Sequence, residues 1–215
     1  MRQERQQQRF GGLRVAIAVD AQSHQGECFA VQDALEELGA VPLILARQRG
    51  QVGAHSASSP TASGSGAEQA SSHARAIEAH STLALAAAED LDAVVVPGGS
   101  SQLAQDAALQ RLASEMIRVG KPLALSGTAM SLLMTTGLAS GKRLTGPANL
   151  ASEARAAGAL WIDGPAVNDG MLVTGRGPED LPAFIELLID LLAQWSLQGQ
   201  DEAANDIISA TGEDG

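Results

Sequence analysis

The 215-residue sequence predicts an α/β sandwich: a mainly parallel sheet, helices on both faces and a hairpin near the C-terminus. Three observations predict it. Short apolar runs rich in Val, Leu and Ala alternate with stretches of helical periodicity, which is the pattern of βαβ units. The apolar set contains only three Phe, two Trp and no Tyr, which suits closely packed helices on a buried sheet. The dipeptide Asp169-Gly170 between strand-like residues signals a two-residue hairpin turn.

The elements follow in order. Leu13 to Val19 (LRVAIAV) reads as a strand, followed by a polar loop and a helix with Cys28, Val31, Leu35 and Leu38 on one face. Gly39 stops that helix before a second strand, Val41 to Leu45, so the crossover is right-handed and parallel. Ala93 to Val96 is a third strand, closed by Pro97, Gly98, Gly99 and Ser100. A helix with Leu109, Leu112 and Met116 on one face follows, capped at Gly120. Pro122 to Leu125 is a fourth strand, after which Gly127 turns the chain into a short helix bearing Leu132 and Leu133. Val167 to Thr174 forms the hairpin, and a last helix runs from Asp180 to about Gln194, with Phe184, Leu187, Leu188, Leu191 and Trp195 on its apolar side.

Three segments fall outside this pattern. Residues 1–11 and 196–215 are expected as disordered tails, the second acidic, with five acids and no base after Gln194. Residues 48–76 are expected as a flexible insertion in the domain spanning 12–195. Between Gly50 and Ser72 this segment is small, polar and aperiodic, so it cannot bury enough apolar surface to offset the entropy of ordering. As an alternative, a long loop of this kind acts as a lid over a site.

Composition limits function. A net charge of −11 without a basic cluster argues against nucleic acid and anionic lipid. The single Cys28 excludes an intramolecular disulfide and a cysteine-based zinc cluster, and the four histidines lack ligand spacing, so no metal or other cofactor is expected. No apolar run is long enough to cross a bilayer, and the opening MRQERQQQRF lacks the apolar centre of a secretory signal, so the cytoplasm is the expected location.

In an open parallel sheet, ligands sit beyond the carboxyl ends of the strands. Asp20 to Glu27, Gly98 to Ser101 and Ser126 to Ala129 reach that edge. Gly98 and Gly99 let backbone approach a small ligand closely, although a Pro-Gly-Gly run is equally a strand terminator.

DAVVVPGG, KPLALSGTAMSLL and VNDGMLVTGRGPEDLPAFIELLIDLLA together resemble the DJ-1/PfpI family of the glutamine-amidotransferase-like superfamily, with GRGPEDLPAF the most specific piece. The resemblance spans residues 12 to 193 apart from the insertion and implies a flavodoxin-like, doubly wound fold. It also implies a cysteine, usually followed by His, on the turn after the fourth strand, and a glutamate that hydrogen-bonds the thiol. Anchored on Leu132 and Leu133, the cysteine position falls on Gly127 and the histidine position on Thr128. Counted back from Leu35, the glutamate falls on Glu27. Neither reactive side chain is present, while the carboxylate is kept. An elbow nucleophile sits in a strained backbone conformation costing roughly 1–3 kcal/mol, and glycine relieves most of that strain. The turn is also similar, at this one glycine, to the C-terminal domain of large-subunit catalases.

No substitute nucleophile stands out. Ser126 ends its strand, with its side chain expected off the pocket and no neighbouring His as base. Cys28 adjoins Glu27 but lies on the apolar helix face, where burial and a carboxylate neighbour raise a thiol's pKa. His24 either pairs with Glu27 or is a solvated loop residue, and Glu27 is either a working carboxylate or simply an acidic first-turn residue favourable to the helix dipole.

Three readings follow. The first is a non-catalytic protein of this family, stress-related, structural or binding a small molecule in the vestigial pocket formed by Glu27, Gly98, Gly99, Ser126, Gly127 and Thr128. The second is a hydrolase or glyoxalase-like enzyme in which Glu27 transfers a proton without the cysteine. The third is an accessory module of a larger enzyme such as a catalase. A homodimer is expected from the resemblance alone.

Overall fold

The computed structural model describes residues 10–52 and 76–211, with side chains through Gly199. β1 (Arg14–Ala18) leads into α1 (Gln25–Glu37) and β2 (Val41–Ala46). A ribbon of β3 (Gly50–Val52) and β4 (Ile77–Ala79) and a short β5 (Ser81–Thr82) precede β6 (Ala93–Val96). α2 (Ala107–Arg118), β7 (Leu123–Ser126) and α3 (Ser131–Thr135) follow. Then come β8 (Arg143–Leu144), α4 (Ala151–Ala156), β9 (Leu160–Trp161), the hairpin β10 (Ala166–Asp169) with β11 (Leu172–Gly175), and α5 (Leu181–Thr211).

The main sheet has seven strands in the order β10-β11-β7-β6-β1-β2-β5, and every neighbouring pair is parallel except the β10–β11 hairpin. Successive side chains of a strand point to opposite faces, so each strand feeds two cores. Ala16, Val94, Val96, Leu123 and Leu125 pack with Leu109, Leu112 and Met116 of α2 and Leu132 and Leu133 of α3. Val15, Ile17, Val95, Ala124 and Val173 pack with Cys28, Val31 and Leu35 of α1 and Phe184, Leu188 and Leu191 of α5. This is the expected doubly wound, flavodoxin-like sandwich with helices on both faces.

The boundaries of the irregular segments differ from expectation. Phe10, placed in the N-terminal tail, is 1% exposed in the α1/α5 core, and its amide donates to the Leu38 carbonyl at 3.0 Å. A single large apolar side chain after a polar run is enough to anchor the chain there. The neck of the insertion is ordered as the β3–β4 ribbon, because Ile77 and Ala79 alternate inward around exposed Glu78. The helix does not stop near Gln194 but continues to Thr211. Residues 196–211, expected in a solvated tail, contain no proline, and the helix already nucleated on the core propagates through them. The expectations for 1–9, 53–75 and 212–215 lie outside the described residues.

Candidate functional site

Because β7, β6 and β1 are adjacent and parallel, the loops after them meet at one edge of the sheet. The loop after β1 is tied to the glycines after β6. The His24 amide donates to the Gly98 carbonyl at 2.8 Å, and Gly99 adopts φ +102°, a conformation reserved in practice for glycine. A Cβ on Gly99 would stand 2.5 Å from the Gln22 carbonyl oxygen. Asp20 organises the same junction. Its carboxylate accepts from the Gln22 amide at 2.9 Å, from the Ser23 hydroxyl at 3.3 Å and from the Ser100 hydroxyl. Asp20, Ser23 and Ser100 were not singled out from sequence, although an Asp three residues before a Ser in a post-strand loop is the signature of a side-chain-stabilised turn.

Glu27 lies in the first turn of α1 and is 1% exposed. The Gly98 amide donates to its Oε2 at 2.9 Å, while Oε1 has no hydrogen-bond partner among the described residues. The helix N-terminus and this one amide offset part of the cost of burying a carboxylate, and the second oxygen is left unanswered. Gly98 makes the approach possible: a Cβ there would lie 3.3 Å from Oε1 and 3.2 Å from the Ser126 carbonyl oxygen.

Gly127 opens a 3₁₀ turn, Gly127–Met130, with φ +56°. A Cβ at this position would meet the Gly98 Cα at 3.5 Å, the Gly177 Cα at 3.7 Å and the Arg176 carbonyl oxygen at 3.9 Å. These are ordinary contacts, so the turn has room for a side chain while its backbone disfavours one. Thr128 is half-buried, and its Oγ1 accepts from the Gly99 amide at 3.3 Å. Five of the sequence-predicted pocket residues, Glu27, Gly98, Gly99, Gly127 and Thr128, are therefore linked by direct contacts.

Ser126 is fully buried and its Oγ has no partner among the described residues. Alternation with Ala124 sets its side chain on the α1/α5 face of the sheet, beneath the turn. The pairing of His24 with Glu27 is not found. His24 is exposed, and the hydrogen bond to the carboxylate comes from the Gly98 amide. Cys28 is buried in the core, and burial, reinforced by the Glu27 charge, pushes its thiol up to about 12.

The wall of the turn is formed by Arg176 and Gly177, which sequence reasoning quoted within a motif without assigning to the pocket. They line a cavity of about 290 Å³ together with Pro147, Pro178, Glu179 and Asp180. The Arg176 guanidinium pairs with Asp163 at 3.2 Å and with Asp180 at 3.4 Å. Among the described residues no group of three or more His, Cys, Asp or Glu is arranged to hold a metal ion, and no helix is long and apolar enough to cross a membrane.

The DJ-1/PfpI family model matches residues 14–191, which takes in most of both cores and the whole of this edge. The chain belongs to the DJ-1/PfpI family. Among its DJ-1/PfpI relatives, a deglycase of Thermococcus kodakarensis is 32% identical over 108 residues, 48% of this chain and 64% of that protein. An uncharacterised Archaeoglobus fulgidus protein is 33% identical over 109 residues, 50% of this chain and 65% of its own length. The chain thus spans slightly less than two thirds of these relatives. Drosophila melanogaster DJ-1beta superposes with a TM-score of 0.68 at 21% identity, covering 88% of this chain and 97% of that one. A two-domain Anabaena variabilis protein with DJ-1/ThiJ/PfpI-like and ferritin-like domains gives a TM-score of 0.71 at 24% identity, covering 84% of this chain and 48% of the other. At these identities the two structures establish the fold.

Proposed function

We propose that this DJ-1/PfpI protein is a non-catalytic module that retains the family's elbow as a small-ligand or structural site. The observation that carries this reading is Gly127: the turn after β7 presents a glycine at φ +56°, with room for a side chain and none there. The one thiol of the chain does not replace it, because Cys28 faces the α1/α5 core with its pKa pushed up to about 12. Thr128, at the position the resemblance gives to histidine, is a hydrogen-bond acceptor for Gly99 and no base. A homodimer in the cytoplasm belongs to the same proposal, and a free buried thiol is compatible with it.

The test restores what the reading says is missing. Gly127→Cys combined with Thr128→His should give a folded protein with one thiol reactive toward a disulfide reagent at mildly alkaline pH, while native wild type stays inert. The variant should also lose roughly 1–3 kcal/mol of stability to backbone strain. A folded variant whose new thiol is as inert as Cys28 would show that the turn is not an elbow.

Two further readings each have a supporting observation. The Oε1 of Glu27, without a hydrogen-bond partner among the described residues, together with the deglycases among the relatives, supports an enzyme in which this carboxylate transfers a proton. The two-domain Anabaena protein supports an accessory module joined to or associated with another domain.

A further inference from the structure

At the edge of the sheet, β5 pairs with β2 only through Leu45 with Ser81 and Ala46 with Thr82. One residue earlier, a side chain completes the ladder. The His80 amide donates to the Ile44 carbonyl at 2.9 Å, and the His80 imidazole Nδ1 accepts from the Ile44 amide at 2.9 Å. The ring nitrogen thus stands where a neighbouring strand would place a carbonyl. We propose that His80 is a pH-sensitive latch, closed when its imidazole is neutral and opened by protonation, that holds the corner between β4 and β5 against β2.

Only a neutral imidazole has a nitrogen lone pair to offer, because the protonated ring carries N–H on both nitrogens. Protonation sets one N–H against another. The Ile44 amide has no ready alternative, since Ile44 is 3% exposed and a buried donor left unpaired loses its hydration without return. His80 itself is exposed, so the ring exchanges protons with solvent. Histidine side chains ordinarily change charge between about pH 5 and 8. The bond to Ile44 exists only with the neutral form, so the latch is closed above that range and is lost as pH falls through it. The charged groups around the ring do not replace the lost acceptor. β2, β3 and β5 carry no titratable side chain. On β4 there is only Glu78, which is exposed, while in the loop after β2 Arg47 is paired with Asp106 and Arg49 gives its Nε–H to the His80 carbonyl at 3.0 Å. Ile77 and Ala79 remain packed with Ile44 and Ala46 in the α1/α5 core, so opening is local to this corner. Its position gives the latch a consequence. The β3–β4 ribbon that ends at this corner lines, through Gln51 and Val52, a cavity of about 350 Å³ shared with Asp20 of the first loop.

The experiment is amide hydrogen exchange of the full-length protein, followed by NMR at about pH 7.5 and about pH 5 and corrected for intrinsic exchange rates. In the wild type, protection of the Ile44 amide is expected to fall about tenfold at the lower pH, the effect of losing roughly one hydrogen bond. His80→Asn offers a side-chain oxygen in place of Nδ1 and does not titrate, so its Ile44 amide should keep its protection at both pH values. His80→Ala has no acceptor and should show the low protection at both. Equal protection of the wild-type amide at the two pH values, or the same fall in His80→Asn, would overturn the proposal. So would ring nitrogen shifts that place the proton of the neutral imidazole on Nδ1 at about pH 7.5.

Discussion

At Gly99 a single missing methyl group decides how the loops of the site fit together. Its φ of +102° and the 2.5 Å separation between a hypothetical Cβ and the Gln22 carbonyl oxygen leave no small adjustment that admits alanine. Gly99→Ala is therefore expected to cost more than about 2 kcal/mol, by strain and by displacement of the first loop, and to appear as a clear fall in thermal midpoint. An unchanged midpoint would mean that the loops after β1 and β6 are not locked together as described. Residues of this kind were only partly legible beforehand. Glu27 and Gly127 could be placed because a family resemblance gave them positions, and Gly98 because a Pro-Gly-Gly run closes a strand at the carboxyl edge of the sheet. The Asp20–Ser23 turn has a local signature, but the Ser100 hydroxyl reaches Asp20 across 80 residues of chain, which no local pattern encodes.

Among the elements, α2 shows how a short helix is fixed at its start. Asp106 accepts from the amides of Ala108 at 2.9 Å and Leu109 at 3.3 Å, and it also pairs with Arg47 from the loop after β2. Asp106→Ala removes the cap and should lower stability by about 1–2 kcal/mol, measured by denaturant unfolding. Arg47→Ala removes a half-exposed ion pair and one long hydrogen bond to the Gln102 carbonyl and should cost less than about 1 kcal/mol. Equal losses in the two variants would shift the credit from the cap to the salt bridge. The principal helices and inner strands were legible because their apolar residues recur at a single period. The ribbon β3–β4 and the two-residue strands β5, β8 and β9 are too short to show a period, and they exist because a neighbour is there to pair with. The distal part of α5 was missed for the opposite reason. Its acidic composition reads as a tail, yet a helix seeded on the core by Phe184, Leu188 and Leu191 continues through a proline-free stretch.

For the whole molecule, the architecture follows from alternation alone: strands feeding residues to two cores require helices on both faces, and consecutive parallel connections fix their hand. The function does not follow from architecture, because one fold serves many chemistries and the site decides among them. Here the site combines a buried carboxylate, Glu27, with a glycine, Gly127, at the head of the turn after β7, and the proposed reading is that this pair no longer catalyses. That combination is the central claim, and turnover by the purified protein tests it most directly. Wild type and Glu27→Gln would be compared for methylglyoxal consumption, ester hydrolysis and peptide cleavage. Rates indistinguishable from buffer for both proteins are predicted. Turnover by the wild type that falls about a hundredfold or more in Glu27→Gln would contradict the account and make Glu27 the proton-transfer group of an enzyme working without the cysteine.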